Sequence, residues 1–197
     1  MTAGKSALRW LPNAISGARL AAAPILVALA LLHRETPFAW LLIAALVSDV
    51  ADGWLARALD VRSRFGAMLD STADVTTTAA AACGIIAFHH EVFAEHTFAF
   101  FAVLGGWAVV CVLALVRYGR LSSFHTYLSK AAGYALGAFL AVLFVAGFSA
   151  PLFFVAVFLS VAGSCEELLL LWRLREWRAD VRGLWWVLRA EGEEPSA

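Results

Sequence analysis

Six stretches of this chain, approximately 14–32, 37–59, 66–88, 97–116, 131–149 and 151–172, are apolar for long enough to cross a bilayer. At about 1.5 Å per helical residue, about 20 residues match a hydrocarbon core of about 30 Å. In that solvent each spanning segment must satisfy its own backbone hydrogen bonds, so the segments are expected to be helices. Composition agrees, with 62% of the 197 residues hydrophobic and 15% charged, against about 25% charged in ordinary soluble domains. The expected fold class is an all-α integral membrane protein with six transmembrane helices. The very short connection around Ser149, Ala150 and Pro151 predicts that the last two form a tight antiparallel pair.

Formal net charge is zero, and the distribution carries the information. With the N-terminus on the cytoplasmic side, fourteen of the fifteen Lys and Arg residues fall on that side, and Arg34 alone falls outside. Short-loop cations are retained in the cytoplasm, so both termini are expected there. No secretory signal is expected, because the first apolar run follows Lys5 and Arg9 without a convincing cleavage site. Near the N-terminus, SALRWLPNAISG reads as a surface element leading into the membrane. Beyond the last crossing, EWRADVRGLWWVLRA alternates Arg with Trp and Leu, as in an interfacial amphipathic helix, and the tail EGEEPSA is expected to be disordered. No fixed-period repeat suggests a second domain, and no nucleic-acid partner is expected.

Cys83, Cys111 and Cys165 are widely spaced and read as small apolar packing residues. His89, His90 and His96, with Glu91 and Glu95, read as a solvated outer loop. Glu166 and Glu167 sit inside the sixth apolar segment without a recognisable role.

The stretch SDVADGWLARALDVRSRFGAMLDSTAD is the exception to the apolar pattern. Asp49, Asp52, Gly53 and Ala56 share one helical stripe at the end of segment two, and Gly66, Asp70 and Asp74 share another at the start of segment three. Counting helical rise from the intervening turn puts all four carboxylates about 7–15 Å from the hairpin end, at matched depth. Carboxylates inside a membrane segment are costly and mark function. Four close together raise one another's pKa values unless cations intervene. Oxygen-only ligands suit hard ions, so two divalent cations, Mg²⁺ or Mn²⁺, are expected on Asp49, Asp52, Asp70 and Asp74. Two such ions form a common arrangement for phosphoryl transfer. Gly53, Ala56 and Gly66 remove bulk beside them, and Asp60 reads as a solvated turn residue. A structural role in pairing with Arg57, Arg62 and Arg64, or a divalent-cation transporter with the same carboxylates as its transit site, are the rival readings. The sequence shows no broken helices or repeat symmetry for the latter.

The same stretch resembles the CDP-alcohol phosphotransferase family, whose pattern D-x2-D-G-x2-A-R-x8-G-x3-D-x3-D it fits at Asp49, Asp52, Gly53, Ala56, Arg57, Gly66, Asp70 and Asp74. The resemblance extends to the six-helix organisation and implies a single transmembrane domain over residues 1–197. It implies a membrane enzyme that moves the phosphatidyl group of CDP-diacylglycerol to an alcohol, with release of CMP. By motif position Asp49, Asp52 and Asp70 look like metal ligands, and Asp74 like a ligand and the base for the acceptor's proton. Asp70 and Asp74 are thus the catalytic candidates. Gly53 and Ala56 would admit the cytidine, with Arg57 bracing the carboxylates or the nucleotide. A homodimer among membrane lipids, in a bacterial inner membrane with the site facing the cytoplasm, is also implied.

Two further clusters are candidate substrate contacts. LPNAISGAR places Asn13, Ser16 and Arg19 at three-residue spacing, similar to the family's P-N-x2-[ST]-x2-R opening, and implies donor contacts; a helix cap and a snorkelling Arg explain it almost as well. RYGRLSSFHTYLSK carries Arg117, Arg120, His125 and Lys130, which suit a phosphorylated acceptor such as glycerol 3-phosphate, or an ordinary basic loop against anionic lipid. It matches the G-K-x-K-T-x2-Q-like element of phosphatidylglycerophosphate synthases only in part, so inositol phosphate, inositol, serine and choline stay open as acceptors.

Overall fold

The computed structural model describes residues 3–58, 64–119, 126–173, 181 and 183–193, and these are all-helical, without strands. In chain order the helices are α1 (Ala3–Leu31), α2 (Glu35–Ala58), α3 (Arg64–Phe88), α4 (His90–Glu95), α5 (Thr97–Tyr118), α6 (Tyr127–Ala146), α7 (Ala150–Arg173) and α8 (Leu184–Glu193). Six of them, α1, α2, α3, α5, α6 and α7, are long and apolar enough to cross a membrane. These are the six segments expected from hydropathy. The chain divides into two compact units, Met1–Ala94 and Glu95–Ala197.

In the first unit α1 packs broadly against both α3 and α2, whereas α2 and α3 meet each other only slightly. α2 and α3 are neighbours, as expected, and both dock mainly on α1. Small residues make this possible, since Ala23 and Ala30 of α1 and Ala73 and Ala80 of α3 are buried and let backbones approach. Leu26 of α1 and Phe38 and Leu42 of α2 are fully buried in the same unit. At Gly84 an added Cβ would fall onto the Phe38 ring, which fixes glycine there.

At the N-terminal end helix runs unbroken from Ala3 through Pro12 and Pro24, so the stretch read as a surface element is continuous with the first spanning segment. Each proline forfeits one backbone donor, and the Ser16 hydroxyl, one turn on from Pro12, donates to the Pro12 carbonyl at 3.1 Å. The turn into α2 places His33 at φ 52°, and His89 Nε2 lies 3.5 Å from Glu35 Oε1. α4 corrects the reading of His90–Glu95 as loop: these residues form a short helix.

In the second unit α7 is central, packing against α6 and α5. The three-residue connection 147–149 makes α6 and α7 the tight pair expected from Ser149–Pro151. Phe153 anchors its end, with the rings of His96 at 4.7 Å, Phe139 at 5.2 Å and Phe148 at 5.5 Å. Thr126, fully buried, caps α6 by accepting the Ser129 N–H at 3.1 Å. At the other end Val110, Ala114, Leu170 and Leu171 form a core on which Val181, Leu184 and Val187 settle.

α8 forms the second half of the stretch expected to be an amphipathic helix after the last crossing, of which residues 176–180 and 182 lie outside the described set; it continues through Glu193, so the first residues of the tail read as disordered are helical. The Leu184 N–H donates to Glu166 Oε1 at 3.0 Å, which gives Glu166 a role that sequence alone left unassigned. Gly183 has φ 153°, and a Cβ there would come 2.9 Å from the same Glu166 oxygen.

Candidate active site

α1, α2 and α3 deliver the polar side chains of the first unit to one point. The centre is Arg19, whose side chain is 1% exposed although it lies deep within an apolar helix. Its Nη1 donates to Asp49 Oδ1. Its Nη2 lies 2.5 Å from Asp70 Oδ1, 3.3 Å from Asp74 Oδ1 and 3.6 Å from Asp52 Oδ2. One guanidinium thus touches all four aspartates. The planar fork of Arg suits this, because it presents donors in several directions at once.

The four carboxylates are not equivalent. Asp49, Asp70 and Asp74 each offer one oxygen, and the three oxygens lie within 4.8 Å of one another. Their side chains keep 46%, 40% and 50% exposure, open to a ligand. Asp52 is 3% exposed and turned toward α1, where the Ser16 hydroxyl donates to its Oδ2 at 2.9 Å. The expected group of four is therefore a converging trio plus one buried carboxylate held from behind. Among the described residues the trio is purely carboxylate, a donor set that fits a hard divalent cation and not zinc. One guanidinium against four aspartates leaves a formal charge of −3, which calls for further positive charge in a medium of low dielectric.

Local sequence explains the convergence. Ser16 and Arg19 are three residues apart and so share a face of α1. Asp49 and Asp52 repeat that spacing on α2, and Asp70 and Asp74 lie four apart on α3. The hydroxyls around them stay within their helices, as with Ser48 on the Ala45 carbonyl at 2.8 Å and Thr72 on the Met68 carbonyl at 2.8 Å.

The remaining candidates are placed as follows. Asn13, Gly53 and Gly66 are half-buried. Ala56 and Arg57 lie on the last turns of α2, and their side chains are outside the described set, as are Arg62 and the Arg64 side chain. Arg120 and His125 also fall outside the described residues. Arg117 and Lys130 belong to the second unit and are exposed, with the Arg117 guanidinium 5.7 Å from the Tyr118 ring and the Lys130 ammonium 5.9 Å from the Tyr127 ring. Arg19 is the residue whose importance sequence reasoning understated. A snorkelling arginine keeps its head in water, whereas this one is buried among anions. The available signal was its position five residues beyond the start of the first apolar stretch at 14, where a charge needs a partner.

The comparisons with known proteins agree with this arrangement. The model of the CDP-alcohol phosphatidyltransferase family matches residues 9–163, and the chain belongs to that family. It is similar to a CDP-diacylglycerol–glycerol-3-phosphate 3-phosphatidyltransferase of Cereibacter sphaeroides, at 45% identity over 73 residues, which is 34% of this chain and 33% of that protein. The chain thus matches about a third of the length of this curated relative. No solved structure matches the chain.

Proposed function

We propose that this protein transfers the phosphatidyl group of CDP-diacylglycerol to a small hydroxyl acceptor, with glycerol 3-phosphate favoured, and releases CMP. The observation that carries the reading is the approach of the Asp49, Asp70 and Asp74 oxygens within 4.8 Å on a family-matched motif. The printed name of the Cereibacter sphaeroides relative favours glycerol 3-phosphate among acceptors. So does the phosphate-binding capacity of Arg117, Arg120, His125 and Lys130.

In this reading the converging oxygens of Asp49, Asp70 and Asp74 would hold the divalent cations, two Mg²⁺ or Mn²⁺, and Asp52, the fourth carboxylate of the motif, would add its charge from behind them. When bound, such cations offset the diphosphate's charge and stabilise departing CMP. Asp74 takes the proton of the acceptor hydroxyl as that oxygen forms its bond to the lipid-bearing phosphorus and the bond to the CMP oxygen breaks. Ser16 keeps Asp52 oriented. Gly53, Ala56 and Gly66 leave room for the nucleotide, Asn13 contacts the donor, and Arg57 braces the carboxylates. Acyl chains stay in the bilayer, while the cytoplasmic face, defined by the Lys and Arg bias, receives CMP.

The test is purified protein in detergent with CDP-diacylglycerol, Mg²⁺ or Mn²⁺, and a panel of glycerol 3-phosphate, inositol phosphate, inositol, serine and choline. CMP release with glycerol 3-phosphate is expected. Release with another member keeps the chemistry and replaces the acceptor. No CMP with any of them, together with cation flux into liposomes, would establish the transporter reading instead.

A further inference from the structure

We infer that Arg19 is a resident counter-cation of the carboxylate cluster and that it competes with divalent cations for the oxygens of Asp49, Asp70 and Asp74. The inference rests on the reading of these aspartates as cation ligands and adds what this chain's own arginine does there.

The geometry is direct. The three oxygens that come within 4.8 Å of one another belong to the same three carboxylates that Arg19 contacts, through Nη1 at Asp49 and Nη2 at Asp70 and Asp74. A carboxylate oxygen engaged by a guanidinium at 2.5 Å has no room on that side for an ion that needs about 2.0–2.1 Å. A cation that takes these same oxygens on the guanidinium side displaces Arg19 from them, while one that uses the carboxylates' remaining lone pairs still sits beside the guanidinium's positive charge; on either course the arginine and the ion compete for the same three carboxylates. The guanidinium is also incompletely satisfied where it sits: Nε is buried without a hydrogen-bond partner. An arginine serving only as a fixed brace would be expected to use all its donors, since an unpaired buried donor is costly. Asp52 gives it somewhere to stay. At 3.6 Å from Nη2, Asp52 is the carboxylate that Ser16 also holds and that lies outside the trio, so Arg19 can keep this partner while it gives up the others.

The arrangement has a physical purpose. Four aspartates in adjacent membrane helices would repel before any ion arrives, and a built-in cation lets α1, α2 and α3 assemble first. The cost is a lowered apparent affinity, because only the fraction of protein with Arg19 withdrawn offers the trio to an ion.

The experiment is Mn²⁺ binding by electron paramagnetic resonance and thermal unfolding in detergent, with wild type and Arg19→Gln, each in EDTA and in Mn²⁺. Arg19→Gln is expected to bind Mn²⁺ at least tenfold more tightly than wild type. It should unfold at a lower temperature in EDTA and recover to the wild-type midpoint in Mn²⁺. Weaker or equal Mn²⁺ binding by the variant, with wild type binding, would overturn the competition while leaving the cation site intact. A stability deficit that Mn²⁺ leaves unchanged would show a merely structural arginine. Absence of Mn²⁺ binding in both proteins would remove the cation reading itself. Should Arg19→Gln fail to fold, Arg19→Lys serves: a single ammonium cannot fork two carboxylates, so tighter binding than wild type is again expected and weaker or equal binding contradicts the inference.

Discussion

Ser16 Oγ and Asp52 Oδ2 stand 2.9 Å apart and join α1 to α2 at the one aspartate that is almost fully buried. The same hydroxyl lies 3.1 Å from the Pro12 carbonyl, so a single proton is shared between holding the carboxylate and closing a helical turn.

Replacing Ser16 by Ala leaves a buried carboxylate without its donor, which costs about 1–3 kcal/mol. The thermal midpoint in detergent is expected to fall by several degrees. CMP release should drop by about 10–100-fold, the usual loss when a group that orients a ligand is removed. Ser16→Thr keeps the hydroxyl and should recover most of both. An alanine variant with unchanged midpoint and rate would show that Asp52 does not depend on α1.

Gly84 tests packing without touching the site. A Cβ there meets the Phe38 ring directly, and overpacking of this kind costs about 1–3 kcal/mol. Gly84→Ala should lower the midpoint, and adding Phe38→Leu should return part of the loss. If the single variant is as stable as wild type, α2 and α3 are not in contact at this point.

How far the sequence revealed this protein can be traced residue by residue. The six crossings follow from hydropathy because nothing but a satisfied helix suits a bilayer, and helix limits such as Ala150–Arg173 fall within two residues of the apolar stretch 151–172. The aspartates declared themselves by their cost and their three- and four-residue spacing. What periodicity could not show was which helices touch. α2 and α3 follow one another in the chain, yet both pack mainly on α1, because the buried alanines of α1 and α3 favour that contact over the one suggested by chain order. Glu166 was opaque for a similar reason: its partner, the Leu184 N–H, is 18 residues away and leaves no mark on local pattern.

That contact gives a further expectation. Glu166→Ala removes the acceptor for the first turn of α8 and should cost about 0.5–2 kcal/mol, the range for a lost helix cap. Glu166→Gln retains an oxygen acceptor and should lie closer to wild type. Equal midpoints for all three proteins would detach Glu166 from α8.

The acceptor assignment predicts a selective kinetic effect. Lys130→Ala removes an exposed cation and should raise KM for glycerol 3-phosphate about tenfold, in line with a lost hydrogen bond to a charged group. KM for CDP-diacylglycerol should stay unchanged. A rise in both, or in neither, would return this residue to the role of an ordinary cation in the first turn of α6.

The most direct measurement compares CMP release from CDP-diacylglycerol and glycerol 3-phosphate by wild type and Asp74→Asn, each with Mg²⁺ or Mn²⁺ and with EDTA. Wild type should turn over only with the cation, and Asp74→Asn should be slower by at least about 10²-fold, the contribution expected of a positioned base. Wild-type turnover in EDTA, or an asparagine variant that matches wild type, would contradict the assignment of these carboxylates as the reacting centre.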